Sequence, residues 1–173
     1  SNGHKVRAFR SFAVDYSGRA SVPALLAVVD RLTSQDSEAA LPNCQWQFVT
    51  MPDHEVRRDT AGFTLSAASG AVLRATFVQP GKLSAEAVAI ELKQLKHENN
   101  YHGDHWNGFH PRKVITVRGD GAFFAVFTLS HGAAPEPLVT GAGLDAAVTL
   151  GRVKVRFDGR ALIFSSDAGS GDK

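Results

Sequence analysis

The sequence predicts an all-β protein, an antiparallel β-sandwich of about ten to twelve short strands. Apolar and polar residues alternate along most of the chain, which is the two-residue period of a strand with one buried face. The alternating segments are rich in Val, Phe, Thr and Ile, residue types that favour strands. Turn signals containing Gly, Pro and Asp separate the segments at roughly ten-residue intervals, as in sandwich domains.

The strand segments can be followed in chain order. VRAFRSFAV (residues 6–14) alternates, and SVPALLAVVDRL (residues 21–32) is almost continuously apolar, with its proline near the start, where strands tolerate it. Further segments of the same character are CQWQFVT, HEVRRD, GFTLSAA, GAVLRATFV, RKVITVRG, GAFFAVFTLS, AAVTLG, GRVKVRFDG and RALIFSS. Two Asp-Gly pairs, at 120–121 and 158–159, predict tight hairpin turns because glycine accepts a positive φ at little cost.

One segment, LSAEAVAIELKQLK (residues 83–96), fits two interpretations. Its strong helix formers, with Ser84 as a helix N-cap, indicate a helix. Its apolar residues Val88, Ile90 and Leu92 instead follow the two-residue period of a strand. The period favours a strand.

Composition limits the class of protein. The chain has 173 residues, 43% of them hydrophobic, which is enough for a sizeable core without metal or disulfide staples. A net charge of +2 argues against nucleic acid as a partner, and no apolar run has the length of a membrane helix. The single Cys44 excludes an internal disulfide framework, and a cysteine beside apolar residues is usually packed.

The expected organisation is one sandwich domain over residues 5–166. Residues 1–4, which begin with Ser-Asn-Gly, resemble a cloning remnant and are expected to be disordered. The polar, glycine-containing residues 167–173 are expected to form a disordered tail.

The most distinctive segment is HENNYHGDHWNGFH, residues 97–110, which holds four of the seven histidines. Tyr101 and Trp106 can stack on the faces of sugar rings, while His102, His105 and Asn107 can hydrogen-bond to sugar hydroxyls. Ligand sites combine apolar surface with a few placed polar groups, and long loops in compact domains are often functional. These five residues form the candidate carbohydrate site, and the primary prediction includes no metal and no cofactor.

Other interpretations of this segment stay open. His102, Asp104 and His105 offer imidazole and carboxylate ligands of the kind that zinc accepts, although a glycine-broken loop is unlike the usual zinc spacings. Tyr and His are also residue types that act as bases in lyase chemistry. Alternatively, Trp106 and Phe109 fold back on the sandwich as an apolar plug, and the polar residues face water.

Charged residues elsewhere suggest ordinary surface roles. Asp30 and Arg31 are expected to form an ion pair at the end of a strand. Arg57, Arg58 and Arg74 can form a basic patch for an acidic glycan, although charges at such strand positions normally face solvent.

The order of the strand segments carries a resemblance. FRSFAVDYSGRASVPALLAVVDRL is a strand, a turn and a buried strand that ends in Val-Val-Asp-Arg, and a strand with Trp46, WQFVTM, follows. The hairpin FTLSAASGAVLRATFVQP, the segment PRKVITVRGDGAFFAVFTLSHGAAPEPLV and the closing AAVTLGRVKVRFDGRALIF complete the series. This succession resembles the C-terminal β-sandwich region of heparinase II/III-like polysaccharide lyases, over about residues 5–166.

The resemblance implies a bacterial, secreted or periplasmic lyase with a second domain. In these lyases a helical toroid precedes the sandwich, and the cleft for an acidic polysaccharide lies between the two. Most catalytic residues belong to the toroid, so this chain alone is expected to be inactive, and no catalytic residue is assigned to it. The alternative is a stand-alone carbohydrate-binding or adhesion module. A lyase domain should expose an apolar patch where the toroid packs, whereas a module should have a polar exterior around one binding face.

Overall fold

The computed structural model describes residues 5–84, 86–97, 108–133 and 135–166, and it confirms the all-β antiparallel fold. Within these residues the only helical element is a 3₁₀ turn at Gly143–Asp145. The thirteen strands are β1 (Val6–Asp15), β2 (Ala24–Ser34), β3 (Cys44–Thr50), β4 (Glu55–Arg58), β5 (Gly62–Ser66), β6 (Ala71–Gln79), β7 (Val88–His97), β8 (Gly108–Gly119), β9 (Ala122–His131), β10 (Leu138–Thr140), β11 (Ala147–Leu150), β12 (Val153–Phe157) and β13 (Leu162–Ser166). The predicted disordered ends, 1–4 and 167–173, lie outside the described residues.

Each predicted strand segment forms a strand, and only the three-residue β10 has no counterpart among them. The ambiguous segment 83–96 contains most of β7, which confirms the strand interpretation. Ser84 does not cap a helix; its carbonyl accepts a hydrogen bond from the Ala87 amide at 3.0 Å in a turn before β7. The two-residue period was therefore the correct guide here.

The centre of the fold is a six-stranded antiparallel sheet in the order β1-β2-β9-β6-β5-β4. Strand β9 pairs with β2 on one side and β6 on the other. Its segment FFAVF (residues 123–127) is apolar at every position, and all five side chains are buried. A strand that is apolar on both faces needs a hydrophobic layer on each side, and two outer sheets supply these layers.

The first outer sheet, in the order β3-β8-β7, covers one face of the central sheet. Phe123 and Phe127 of β9 belong to the core on this face, together with Ile115 and Val117 of β8. Trp46 of β3 packs against this core, with its ring centroid 5.6 Å from that of Phe127. Trp46 is partly buried and therefore contributes to the core on this face.

The second outer sheet, in the order β10-β11-β12-β13, covers the opposite face. Phe124 and Val126 of β9 pack in this core with Val148 and Val155. Successive residues of β9 therefore enter different cores, because side chains alternate along a strand. The sandwich has three layers, and the central sheet is common to both cores.

Both predicted Asp-Gly turns are present. Gly121 has a φ of +70° and joins β8 to β9. Gly159 has a φ of +94° between β12 and β13. There the Asp158 carboxylate accepts hydrogen bonds from the amides of Ala161 at 2.7 Å and Arg160 at 2.8 Å. These bonds, led by the one from Ala161, hold the pKa of Asp158 below its ordinary value.

Candidate functional site

The residues predicted to bind carbohydrate all lie outside the described part of the chain: Tyr101, His102, His105, Trp106 and Asn107. Asp104, the remaining ligand of the metal alternative, lies there too. The chain is described on either side, where His97 at the end of β7 pairs with Gly108 at the start of β8. Both the carbohydrate and the metal interpretation of this segment stay predictions.

Strands β7 and β8 extend as a two-stranded ribbon beyond the end of β3. The pairing of β3 with β8 stops at Thr50 and Lys113, whereas β7 and β8 stay paired as far as Gly108. Phe109, near the end of this ribbon, is 67% exposed. The prediction that Phe109 packs on the sandwich as part of a plug is therefore wrong, because the ribbon carries it beyond the packed layers.

A groove of ≈ 370 Å³ opens at the same end of the sandwich, between the central sheet and the β3-β8-β7 sheet. We name it the end groove. Most of its lining is apolar: Phe48, Val49, Met51, Leu65, Ala67, Ala71, Leu73 and Leu129. The remaining lining residues are Thr50, His54 and Arg112.

The polar groups of the end groove are held by local contacts. Thr50 Oγ1 and His54 Nδ1 are 2.7 Å apart. The Lys113 ammonium donates to the backbone carbonyl of His54, and Arg112 Nη1 donates to the carbonyl of its neighbour Pro111 at 2.8 Å. Among the residues that the structure describes, the lining contains one imidazole and one guanidinium but no tyrosine and no carboxylate. It therefore offers an apolar binding surface rather than a paired acid and base.

A second groove, of ≈ 380 Å³, lies between strands β1 and β2 and the free edge of β3. We name it the side groove. Its lining mixes aromatic, aliphatic, amide and charged side chains: Ala8, Phe9, Arg10, Asp30, Leu32, Gln45, Trp46, Gln47 and Phe123. This mixture is typical of small-ligand sites, which combine apolar surface with a few polar groups.

Asp30 is the buried polar centre of the side groove, with only 7% of the residue exposed. It accepts hydrogen bonds from Arg10 Nε at 2.6 Å, from Arg10 Nη2 at 2.9 Å and from Trp46 Nε1 at 3.1 Å. The hydrogen bond to Asp30 is the main reason that the pKa of Arg10 is raised. Three donors thus satisfy a carboxylate that would otherwise be costly to bury.

The predicted Asp30–Arg31 ion pair is wrong. Neighbouring residues of a strand point to opposite faces, and Arg31 lies over the rings of Phe9 and Phe157, 4.6 and 5.4 Å from their centroids. The partner of Asp30 is Arg10, which is directly opposite it in the β1–β2 register. Sequence reasoning missed Arg10 because the residue pattern of β1 does not indicate which residue of β2 lies opposite Arg10.

The three arginines considered as a basic patch line one groove, but Glu55 and Asp59 line it with them. Arg57 pairs with Glu55 at 2.9 Å, and Arg74 contacts two carboxylates, each at 3.1 Å. Arg58 donates to a backbone carbonyl of β7 at 3.0 Å. Because carboxylates compensate Arg57 and Arg74 locally, this surface has little excess charge to attract an acidic glycan.

The described ranges contain neither a candidate metal-binding group nor a candidate membrane-spanning helix. Among their side chains, no group of three His, Cys, Asp or Glu residues is placed to hold a metal ion. No helix in the described part of the chain is both long and apolar enough to cross a membrane.

Comparisons of the chain with protein-family models, with curated proteins and with solved structures found no match.

Proposed function

We propose that this chain is the non-catalytic β-sandwich domain of a heparinase II/III-like polysaccharide lyase. In this role it packs against a helical domain and forms one wall of a cleft for an acidic polysaccharide. One observation supports the proposal above others: large apolar side chains are exposed at the end groove and on the two strands that extend past it. Val49, Met51 and Leu129 line the end groove, and Leu92 and Phe109 are on β7 and β8. We name these five residues the apolar end surface.

The apolar end surface is built by separate elements. Leu92 and Phe109 belong to the β7–β8 ribbon, Val49 is on β3, Met51 directly follows β3, and Leu129 is on β9. Exposed apolar side chains that are scattered singly need no explanation, but a group around an apolar groove marks an interaction surface. A stand-alone module is expected to be polar outside its binding face, so this surface favours a domain that packs on another.

The chemistry of the end groove suits a wall better than a complete active site. Elimination on an acidic sugar needs a base for the C5 proton, an acid for the leaving oxygen and a group that neutralises the carboxylate. Among the lining residues, His54 and Arg112 are the titratable or charged side chains. A second acid–base group would have to come from outside this lining, which is consistent with a site completed by another domain.

Oxidative footprinting of Met51 tests the packing role. Met51 is the only methionine of the chain and is 47% exposed, so its oxidation gives an unambiguous mass change. We expect rapid oxidation in the isolated chain and strong protection in the natural polypeptide that contains the helical domain. Leu138 of β10, which is exposed on the other outer sheet, serves as the control and should react equally in both. Equal oxidation of Met51 in both proteins would contradict the packing role.

Gel retardation tests the glycan role. The isolated chain should be slowed in gels that contain an acidic polysaccharide and not in gels that contain a neutral one. It should also release no unsaturated uronate product, measured by ultraviolet absorbance. Product release by the isolated chain would show that it is an active lyase, and an absence of retardation with every acidic polysaccharide would remove the cleft-wall role.

A further inference from the structure

We propose that the side groove binds the carboxylate of a uronate residue in an acidic polysaccharide, with Arg10 as the contacting group and Asp30 as its positioning residue. This inference rests on the proposed function and adds a defined glycan subsite to it. The described lining of the side groove shares no residue with the end groove.

The side groove is open because the outer sheet stops short of β1. Strand β3 is the edge of its sheet, and β1 is the edge of the central sheet. On β1 the alternate residues Ala8, Arg10 and Phe12 are all exposed, whereas Phe9 between them packs against the opposite core. The side groove between β1 and β3 is therefore accessible to a chain-like ligand. Its volume of ≈ 380 Å³ lies in the range of small-ligand sites.

Arg10 presents an unused edge of its guanidinium. Its Nε and Nη2 atoms donate to Asp30, and 68% of its side chain is exposed. A guanidinium has five N–H donors in one plane, so Nη1 and the second hydrogen of Nη2 are left for another acceptor. Two parallel donors of this kind match the two oxygens of a carboxylate.

Asp30 makes this cation rigid. Its side chain is 9% exposed, and a third hydrogen bond, from the Trp46 indole, fixes the carboxylate from the other side. Arg10 therefore has its orientation set before a ligand arrives, which lowers the entropy cost of binding. Asp30 itself faces Arg10 and Trp46, so its role toward the ligand is indirect.

The rest of the lining suits a sugar. Gln45 and Gln47 are exposed on β3 at the rim of the groove, and amide side chains can both donate to and accept from hydroxyl groups. Trp46 and Leu32 provide apolar surface for the C–H face of a ring. A pair of guanidinium donors for a carboxylate, beside amides and an aromatic ring, is the combination that distinguishes a uronate from a neutral hexose.

The experiment uses Trp46 as a reporter. In a Trp106→Phe background Trp46 is the only tryptophan, because the chain has two. We expect saturable change of its fluorescence on titration with a uronate oligosaccharide, and roughly tenfold to hundredfold weaker binding when the carboxyl groups of that ligand are reduced to alcohols. The reduced ligand leaves the protein intact, so this comparison does not depend on the folding of a variant.

Variants assign the contact to Arg10. Arg10→Gln should weaken uronate binding to about the level of the reduced ligand and should leave binding of the reduced ligand unchanged. Arg7→Gln is the matched control, since Arg7 is on the same strand, is similarly exposed and pairs with Glu38. The uronate affinity of Arg10→Lys should lie between those of the wild type and Arg10→Gln, because lysine keeps the charge and loses the paired donors.

The outcomes separate this inference from the proposed function. If gels show that the chain binds acidic polysaccharide but Arg10→Gln binds as tightly as Arg7→Gln, the subsite is wrong and the cleft-wall role stands. If no acidic saccharide binds at all, both are wrong. Equal affinity for the uronate and its reduced form, or equal competition by an acidic peptide, would overturn the assignment of a sugar carboxylate.

Discussion

Arg10 and Asp30 face each other directly across β1 and β2 and form a two-point ion pair, with N–O distances of 2.6 and 2.9 Å. The pair is asymmetric, because Asp30 is buried whereas Arg10 is largely exposed. The buried carboxylate depends on its protein partners to replace water, whereas the exposed guanidinium would be solvated by water if Asp30 were removed. Removal of the aspartate and removal of the arginine should therefore have different consequences.

Asp30→Ala should destabilise the fold by about 2 kcal/mol, because Trp46 Nε1 loses its acceptor and the Arg10 bond to a charged group is lost. Glu38→Ala, which breaks the exposed Arg7–Glu38 pair, should cost less than about 1 kcal/mol. Urea unfolding of both variants measures the two losses. Equal losses would show that burial of Asp30 does not strengthen its contacts.

Gly121→Ala should be much more destabilising than Gly143→Ala. Both glycines have a similar positive φ, +70° and +65°, so the backbone penalty for alanine, about 1–2 kcal/mol, is shared. A Cβ at Gly121 would also lie 2.5 Å from the carbonyl oxygen of Leu32, whereas a Cβ at Gly143 meets nothing within 4 Å. Thermal unfolding compares the pair. Similar melting temperatures would mean that the β8–β9 turn can move away from Leu32.

The Asp158 turn should make stability depend on acid. Hydrogen bonds from the Ala161 and Arg160 amides lower the pKa of Asp158 in the folded state. A carboxylate with a depressed folded pKa contributes stability above its unfolded pKa, and that contribution is lost as the pH falls through the folded value. The difference in unfolding free energy between the wild type and Asp158→Asn should therefore be largest near neutral pH and shrink in acid. A difference that is constant with pH would contradict this assignment.

Arg31 should couple energetically to Phe157. Its guanidinium lies over both the Phe9 and the Phe157 ring, whose centroids are 5.8 Å apart, and it also donates to the Gly159 carbonyl at 3.1 Å. A double-mutant cycle of Arg31→Met and Phe157→Leu should give a coupling of about 0.5–1 kcal/mol, the usual size of an exposed cation–π contact. Additive losses would show that the two side chains are only neighbours.

The strand content could be read from the sequence because alternation reports a local property, the burial of one face. The same alternation gives less information about how the sheets are stacked in layers. The FFAVF segment of β9 is apolar at consecutive positions, and this is the sign of a strand covered on both faces. The predicted sandwich did not include a layer count, and the structure shows that β9 lies in the middle one of three layers. The short β10 was missed because three residues are too few to show a period.

The candidate site was less predictable than the fold. The histidine-rich segment is distinctive in its local composition. The side groove, by contrast, depends on residues that are far apart in the chain, since Arg10, Asp30 and Trp46 come from three strands. The sequence predicts Arg31 as the partner of Asp30, but this neighbour points to the other face of the sheet and the partner is Arg10. Cross-strand register determines such contacts, and it is set by pairing rather than by local residue types.

Strand β9 contributes to both cores and is hydrogen-bonded along both edges. Its amide hydrogens are bonded to β2 and β6 within the central sheet, so exchange there requires separation of these strands and should need opening of the whole domain. Amides of β10, which is short, exposed and paired on one edge, should exchange through local opening. The protein should therefore behave as one cooperative unit built outward from β9, even though its hydrophobic interior is divided in two.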